Sequence, residues 1–228
     1  PHEAASDMPP PSDNLPDTSA PEPADEAPPS VVWSAQYKEA HRFLYGSKDI
    51  PPDFEEAYRL LTAEAADGNA LAMYDLGRIF SGGIGRDADP EQAQAWYAKA
   101  LAAFLAVERQ RPNRYAEYRI GKMYSAGIGA EQDYGTAAEW LTKSAEQNYA
   151  YAQYSLAKLF SEGKGVPQDH KTALHLYEQS ATKGFPYAAW ELGKLCRDGV
   201  GCRPDEKQSA RYFASAFRGF KVLESQSH

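Results

Sequence analysis

The chain has 228 residues, 43% of them apolar and 12% aromatic, and a formal net charge of −8 at pH 7. Those proportions describe a folded soluble protein over most of the length. There is no apolar run of about 18 residues to span a membrane and no basic-then-apolar signal segment, and two cysteines are too few for a disulfide framework.

Residues 1–30 stand apart. They hold nine of the 16 prolines, seven acidic side chains and no Lys or Arg, the composition of a disordered acidic linker that cannot bury enough apolar surface to order itself. Setting it aside leaves about −1 for residues 31–228, so global acidity says nothing about what the folded part binds. A first helix is expected from about Trp33 to Tyr45, then Gly46-Ser47-Lys48-Asp49 and Pro51-Pro52. A second helix follows, capped by Asp53 with Glu56 at the capping-box position and Ala57, Leu60, Leu61 and Glu64 in register.

The same unit then returns four times in sharper form. Gly83-Ile84-Gly85 recurs as Gly-x-Gly at Gly127–Gly129, Gly163–Gly165 and Gly199–Gly201, at offsets of 44, 36 and 36 residues. Self-similarity at that period marks a stacked repeat array. Seven residues before each turn stands Leu76, Ile120, Leu156 or Leu192, followed by a small residue (Gly77, Gly121, Ala157, Gly193) that lets helices approach closely. Each Gly-x-Gly sits where a helix must stop, and glycine accepts the left-handed cap conformation. Four residues later comes an N-cap aspartate for the next helix: Asp89, Asp133, Asp169 or Asp205, with Gln92 and Gln208 as capping-box partners.

The fold expected is therefore all-α, a right-handed solenoid of five helix-turn-helix repeats at about 34–69, 70–113, 114–149, 150–185 and 186–222. The first is an eroded terminal copy. Eight extra residues within 100–113 predict that the second helix of repeat two is two turns longer than its counterparts. The last helix, from about Asp205 to Leu223, carries Phe213, Phe217, Phe220, Val222 and Leu223. That is more apolar surface than one hairpin should cover, so self-association through this helix and a further repeat beyond His228 are expected.

Projecting the first helices at 100° per residue turns Ala152, Leu156, Leu159 and Phe160 toward neighbouring helices, and Tyr151, Tyr154 and Lys158 the other way. Stacked, these positions form columns. One reads Leu71, Tyr115, Tyr151, Tyr187; the next Tyr74, Tyr118, Tyr154, Trp190; the third Arg78, Lys122, Lys158, Lys194. Together they predict a concave aromatic groove with a basic rail, suited to an extended acidic peptide or a phosphate backbone. Tyr118, Tyr154 and Trp190 should be partly exposed there, and Trp96 and Trp140 largely buried between repeats. Catalytic and metal chemistry finds no foothold. Cys196 takes a core position and Cys202 a partly exposed one, while His170 and His175 are five apart, the wrong spacing to share a metal. No cofactor is called for.

The run YAQYSLAKLFSEGKGVPQDHKTALHLYEQSATKG, Tyr151 to Gly184, carries nearly every position of the Sel-one-like repeat (SLR) family, which the chain resembles over roughly residues 34–228. That family is related to tetratricopeptide repeats, and the resemblance implies a protein-interaction scaffold. ALAMYDLGRIF (Ala70–Phe80), DPEQAQAWYAKALAAFLAVE (Asp89–Glu108), PNRYAEYRIGKMY (Pro112–Tyr124) and FPYAAWELGKL (Phe185–Leu195) are also similar to the SLR region C-terminal to MobA/MobL-type mobilisation relaxases of gut Firmicutes conjugative elements. This narrower resemblance implies a cytoplasmic, partner-recruiting region of a DNA-mobilisation protein. The tyrosine-plus-histidine-cluster site of a relaxase has no counterpart here, so no nicking activity is expected. The alternative is an accessory surface for single-stranded DNA, against which the near-neutral balance of residues 31–228 argues.

Overall fold

The computed structural model describes residues 33–46 and 51–226; the expected linker at residues 1–30 and the Ser47–Asp49 link lie outside them. Among the described residues there are ten helices and no strand. They are α1 (Ala35–Tyr45), α2 (Phe54–Ala66), α3 (Ala70–Gly82), α4 (Pro90–Gln110), α5 (Arg114–Ala126), α6 (Tyr134–Glu146), α7 (Ala150–Glu162), α8 (His170–Thr182), α9 (Pro186–Asp198) and α10 (Glu206–Gln226). These fall into two compact units, one holding α1–α5 and the other α6–α10. In each, sequential helices pack as antiparallel neighbours, and the fold class is the all-α repeat solenoid that the 36-residue register predicts. The long second helix is present, since α4 has 21 residues where α2, α6 and α8 have 13, but it is not longer than every counterpart: α10, the second helix of repeat five, also has 21.

Each turn assigns its two glycines different work. Gly83, Gly127, Gly163 and Gly199 are the C-caps of α3, α5, α7 and α9, all left-handed with φ between 64° and 70°. The second glycine faces the preceding repeat. A Cβ on Gly129 would stand 2.5 Å from the Tyr97 carbonyl oxygen of α4, and one on Gly201 would stand 2.8 Å from the His170 carbonyl oxygen of α8. Only a residue without a side chain permits that approach while holding positive φ.

The aspartates cap the second helices as expected: Asp53, Asp89 and Asp205 accept hydrogen bonds from the backbone N–H of Glu56, Gln92 and Gln208. The reciprocal half of the capping box does not form at Asp89. Its own backbone N–H donates to the Phe80 carbonyl at 2.8 Å, as Asp133 does to Tyr124, Asp169 to Phe160 and Asp205 to Cys196. With that donor engaged by the first helix, the Gln92 amide turns to the Asp89 carboxylate instead. The hairpin, not the helix end, claims the donor.

Candidate functional site

The aromatic columns are placed by a constant offset of 23 residues within each repeat. Tyr74 meets Tyr97 at 5.4 Å between ring centroids, Tyr154 meets Tyr177 at 5.6 Å, and Trp190 meets Phe213 at 4.9 Å. The small residue three positions on makes room. A Cβ on Gly77 would lie 2.5 Å from the Tyr97 ring, and one on Gly193 would lie 2.7 Å from that of Phe213. These glycines are therefore seats for a ring of the partner helix.

The expectation that Tyr118, Tyr154 and Trp190 are partly exposed is corrected by this packing: all three are buried, Tyr154 to 7% exposure, as are Tyr74 and Tyr115. Tyr151, Tyr187, Arg78, Lys122, Lys158 and Lys194 are half-buried. Trp96 and Trp140 depart in the opposite sense, being half-buried beneath the ammonium groups of Lys99 at 4.1 Å and Lys143 at 3.9 Å. Positions 96 and 97 lie 100° apart on α4, so only one of the pair can face inward, and Tyr97 takes that place.

On α1, α3 and α5 the first helices carry a polar and aromatic network. Asp75 is 1% exposed and accepts from the Tyr37 hydroxyl at 2.7 Å and from the Arg78 guanidinium at 3.3 Å. Arg78 also reaches the Tyr45 hydroxyl. Arg119, 3% exposed, donates to the Tyr115 hydroxyl at 2.8 Å and lies 5.1 Å from the Tyr74 ring. Trp33 rests edge-on against Tyr37 at 5.5 Å and Tyr115 at 5.7 Å, and the His41 ring lies tilted against that of Tyr45 at 4.4 Å. Burial, followed by the negative charge of Asp75, drives the Tyr37 hydroxyl well above its ordinary pKa. Burial lowers that of His41, with Arg78 and Arg119 adding to the effect and Asp75 opposing it. The phenol therefore stays protonated as a donor to Asp75.

On α7 and α9 the corresponding surface is built from rings. Tyr151, Tyr154 and Tyr187 surround Phe185 at 4.7, 5.2 and 5.4 Å, and Phe220 of α10 closes on Tyr187 at 5.0 Å. The lysines have carboxylates on their own helices, Lys194 with Glu191 at 2.9 Å and Lys158 with Glu162 at 3.9 Å. The apolar face of α10 is also better covered than expected. Phe213 is buried and Phe217 half-buried, and Gly219 brings the helix close to Pro186. Val222, 53% exposed, remains open.

Trp33, Tyr37, His41, Asp75 and Arg119 were not among the residues singled out from the sequence. A signal was present: the position before Leu76, Ile120, Leu156 and Leu192 is polar in every repeat, namely Asp75, Arg119, Ser155 and Glu191. Elsewhere no chemistry converges. Among the described residues no group of three or more His, Cys, Asp or Glu could hold a metal. Cys196 is buried, with its thiol pushed up to about 11 by burial and by neighbouring Cys202.

A family model for the Sel1 repeat matches residues 33–69, 70–103, 114–149, 150–185 and 186–219. Among solved structures, a Sel1 repeat protein from Oxalobacter formigenes is 25% identical with a TM-score of 0.63, the match covering 83% of this chain and 76% of that one. A protective antigen with an SLR fold from uropathogenic Escherichia coli is 26% identical with a TM-score of 0.59 over 84% of this chain. The match spans 41% of that antigen's length. No curated protein matches.

Proposed function

This chain belongs to the Sel1 repeat family, whose members are generally protein-interaction scaffolds, and we propose that it is a non-catalytic scaffold binding an extended, acidic peptide along its first helices. The observation that carries the reading is the charge on α1, α3 and α5. These helices hold six basic side chains (Lys38, Arg42, Arg78, Arg114, Arg119, Lys122) against three acidic ones (Glu39, Asp75, Glu117). Asp75 and Glu117 are buried, as is Arg119, and Asp75 is paired with Arg78 at 3.3 Å, so the remaining surface excess comes from Lys38, Arg42, Arg114 and Lys122 against Glu39. The second helices of the same unit, α2 and α4, carry five acidic and three basic residues. Cationic excess thus falls on the first-helix side, where it favours an acidic partner by electrostatic complementarity.

Single-stranded DNA fits this surface less well. Base stacking needs open ring faces, whereas Tyr74, Tyr154 and Trp190 set theirs against rings of the second helices and Tyr118 is buried. The finer reading, that this chain is the cytoplasmic, partner-recruiting region of a DNA-mobilisation protein, is supported by the sequence stretches at 70–80, 89–108, 112–124 and 185–195 alone. Affinity capture with the whole chain tests the proposal. Proteins retained by the wild type should be lost from Arg78→Glu/Lys122→Glu, and oligonucleotides should not bind at 50 mM salt, a condition that exaggerates phosphate contacts. Capture indifferent to the charge reversal, or tight DNA binding with a steep salt slope, would overturn it.

A further inference from the structure

Where the acidic, proline-rich segment enters the folded part bears directly on the cationic surface. Trp33, the first described residue, does not point away from the repeats. Half-buried, it lies against Tyr37 at the start of α1 and Tyr115 at the start of α5, so the point from which residues 1–32 are tethered is on the first helices of the α1–α5 unit. Along α5 the positions Tyr115, Arg119 and Lys122 share one face at spacings of four and three. Seven residues at 1.5 Å each put Lys122 about 10 Å beyond Tyr115.

We propose that residues 1–32 dock in cis on this surface, the carboxylates of Glu22, Asp25 and Glu26 pairing with Arg78 and Lys122, so that a partner must displace them. The reach is sufficient. Glu26 is seven residues before Trp33, and a proline-rich chain extends about 3 Å per residue, giving about 20 Å. Charge matches as well: the segment has seven acidic side chains and no Lys or Arg, and the surface has the excess of cations described above. Proline lowers the entropy that docking must overcome. Tethering supplies the rest, since an occupant attached at Trp33 has an effective concentration on the order of millimolar. An intrinsic affinity of about 0.1 mM then suffices to occupy the surface most of the time and to weaken a competing partner about tenfold.

The proposal takes its surface from the scaffold reading but makes its own claim about the occupant, and the tests separate the two. Zero-length carbodiimide cross-linking of the whole monomeric chain, read by mass spectrometry, requires no partner. Cross-links from Glu22, Asp25 or Glu26 to Lys122 should exceed those to Lys99 on α4 at least fivefold. They should fall severalfold in Arg78→Gln/Arg114→Gln, which leaves Lys122 intact, and in 0.5 M salt. In a second measurement a labelled synthetic peptide of residues 1–32 is added in trans. It should bind the whole chain about tenfold more tightly once all seven acidic residues in cis are changed to Asn or Gln. Cross-links spread evenly over the lysines, links that form only between two chains at rising concentration, or equal peptide affinity for both chains would overturn cis docking. Charge-sensitive partner capture without these cross-links would leave the scaffold reading standing and remove only the cis occupant.

Discussion

The units α1–α5 and α6–α10 are built on one register and held by different chemistry. In the first, α3 and α5 begin at Asn69 and Asn113, whose side-chain oxygens accept from the backbone N–H groups of Leu71 and Ala72 and of Tyr115 and Ala116. In the second, α7 and α9 begin at Tyr149 and Phe185, which make no side-chain cap bond. Their rings join the cluster around Tyr151, Tyr154 and Tyr187 instead. The contrast extends to the polar register position, a buried Asp75 and Arg119 in one unit and Ser155 and Glu191 in the other. A repeat therefore demands an anchor at each of these points but accepts either hydrogen bonds or apolar area.

The largest effect should come from removing an apolar anchor. Phe185→Ala is expected to cost about 3–5 kcal/mol in denaturant unfolding, whereas Asn113→Ala, which loses a cap, should cost about 1 kcal/mol. Equal costs would erase the distinction between the units. Next, Asp75→Ala should cost about 3 kcal/mol, because the Tyr37 hydroxyl and the neighbouring cations lose their buried counterpart. Ser155→Ala at the same register position should cost less than about 1 kcal/mol. Similar losses at both positions would mean that the Asp75 network is no more than packing. The smallest effect is a pH slope. Since the folded state holds the His41 pKa below 6.5, the unfolded chain takes up its proton first as the pH falls through that value. Stability is lost from there down to the folded pKa, and His41→Gln should flatten the difference. An identical pH profile for wild type and variant would show that His41 is solvated in the folded protein.

Much of this is legible in the sequence. The offsets of 36 and 44 residues give five hairpins, the eight-residue excess gives the length of α4, and the glycine turns give the caps of α3, α5, α7 and α9. All of these are local, set by backbone conformation and helical period, and a single chain segment carries each in full. The aromatic columns are equally legible as columns, but their burial is not. The 100° projection orders positions around one helix without saying which neighbour lies on which side. Tyr154 and Lys158 looked alike in that projection; Tyr177, 23 residues later, covers the ring of Tyr154 and leaves Lys158 half-exposed.

Sequence alone determined the repeat count and the identity of the small, capping and apolar positions, because those follow from periodicity and intrinsic conformational preference. Tertiary structure decided which of two adjacent aromatics, Trp96 or Tyr97, turns inward, and that the Asp89 backbone donor serves the hairpin. It also brought Trp33, Tyr37, Asp75 and Tyr115 together across three helices. Those outcomes depend on competition for the same space and the same hydrogen bonds between segments tens of residues apart, which no single helix records.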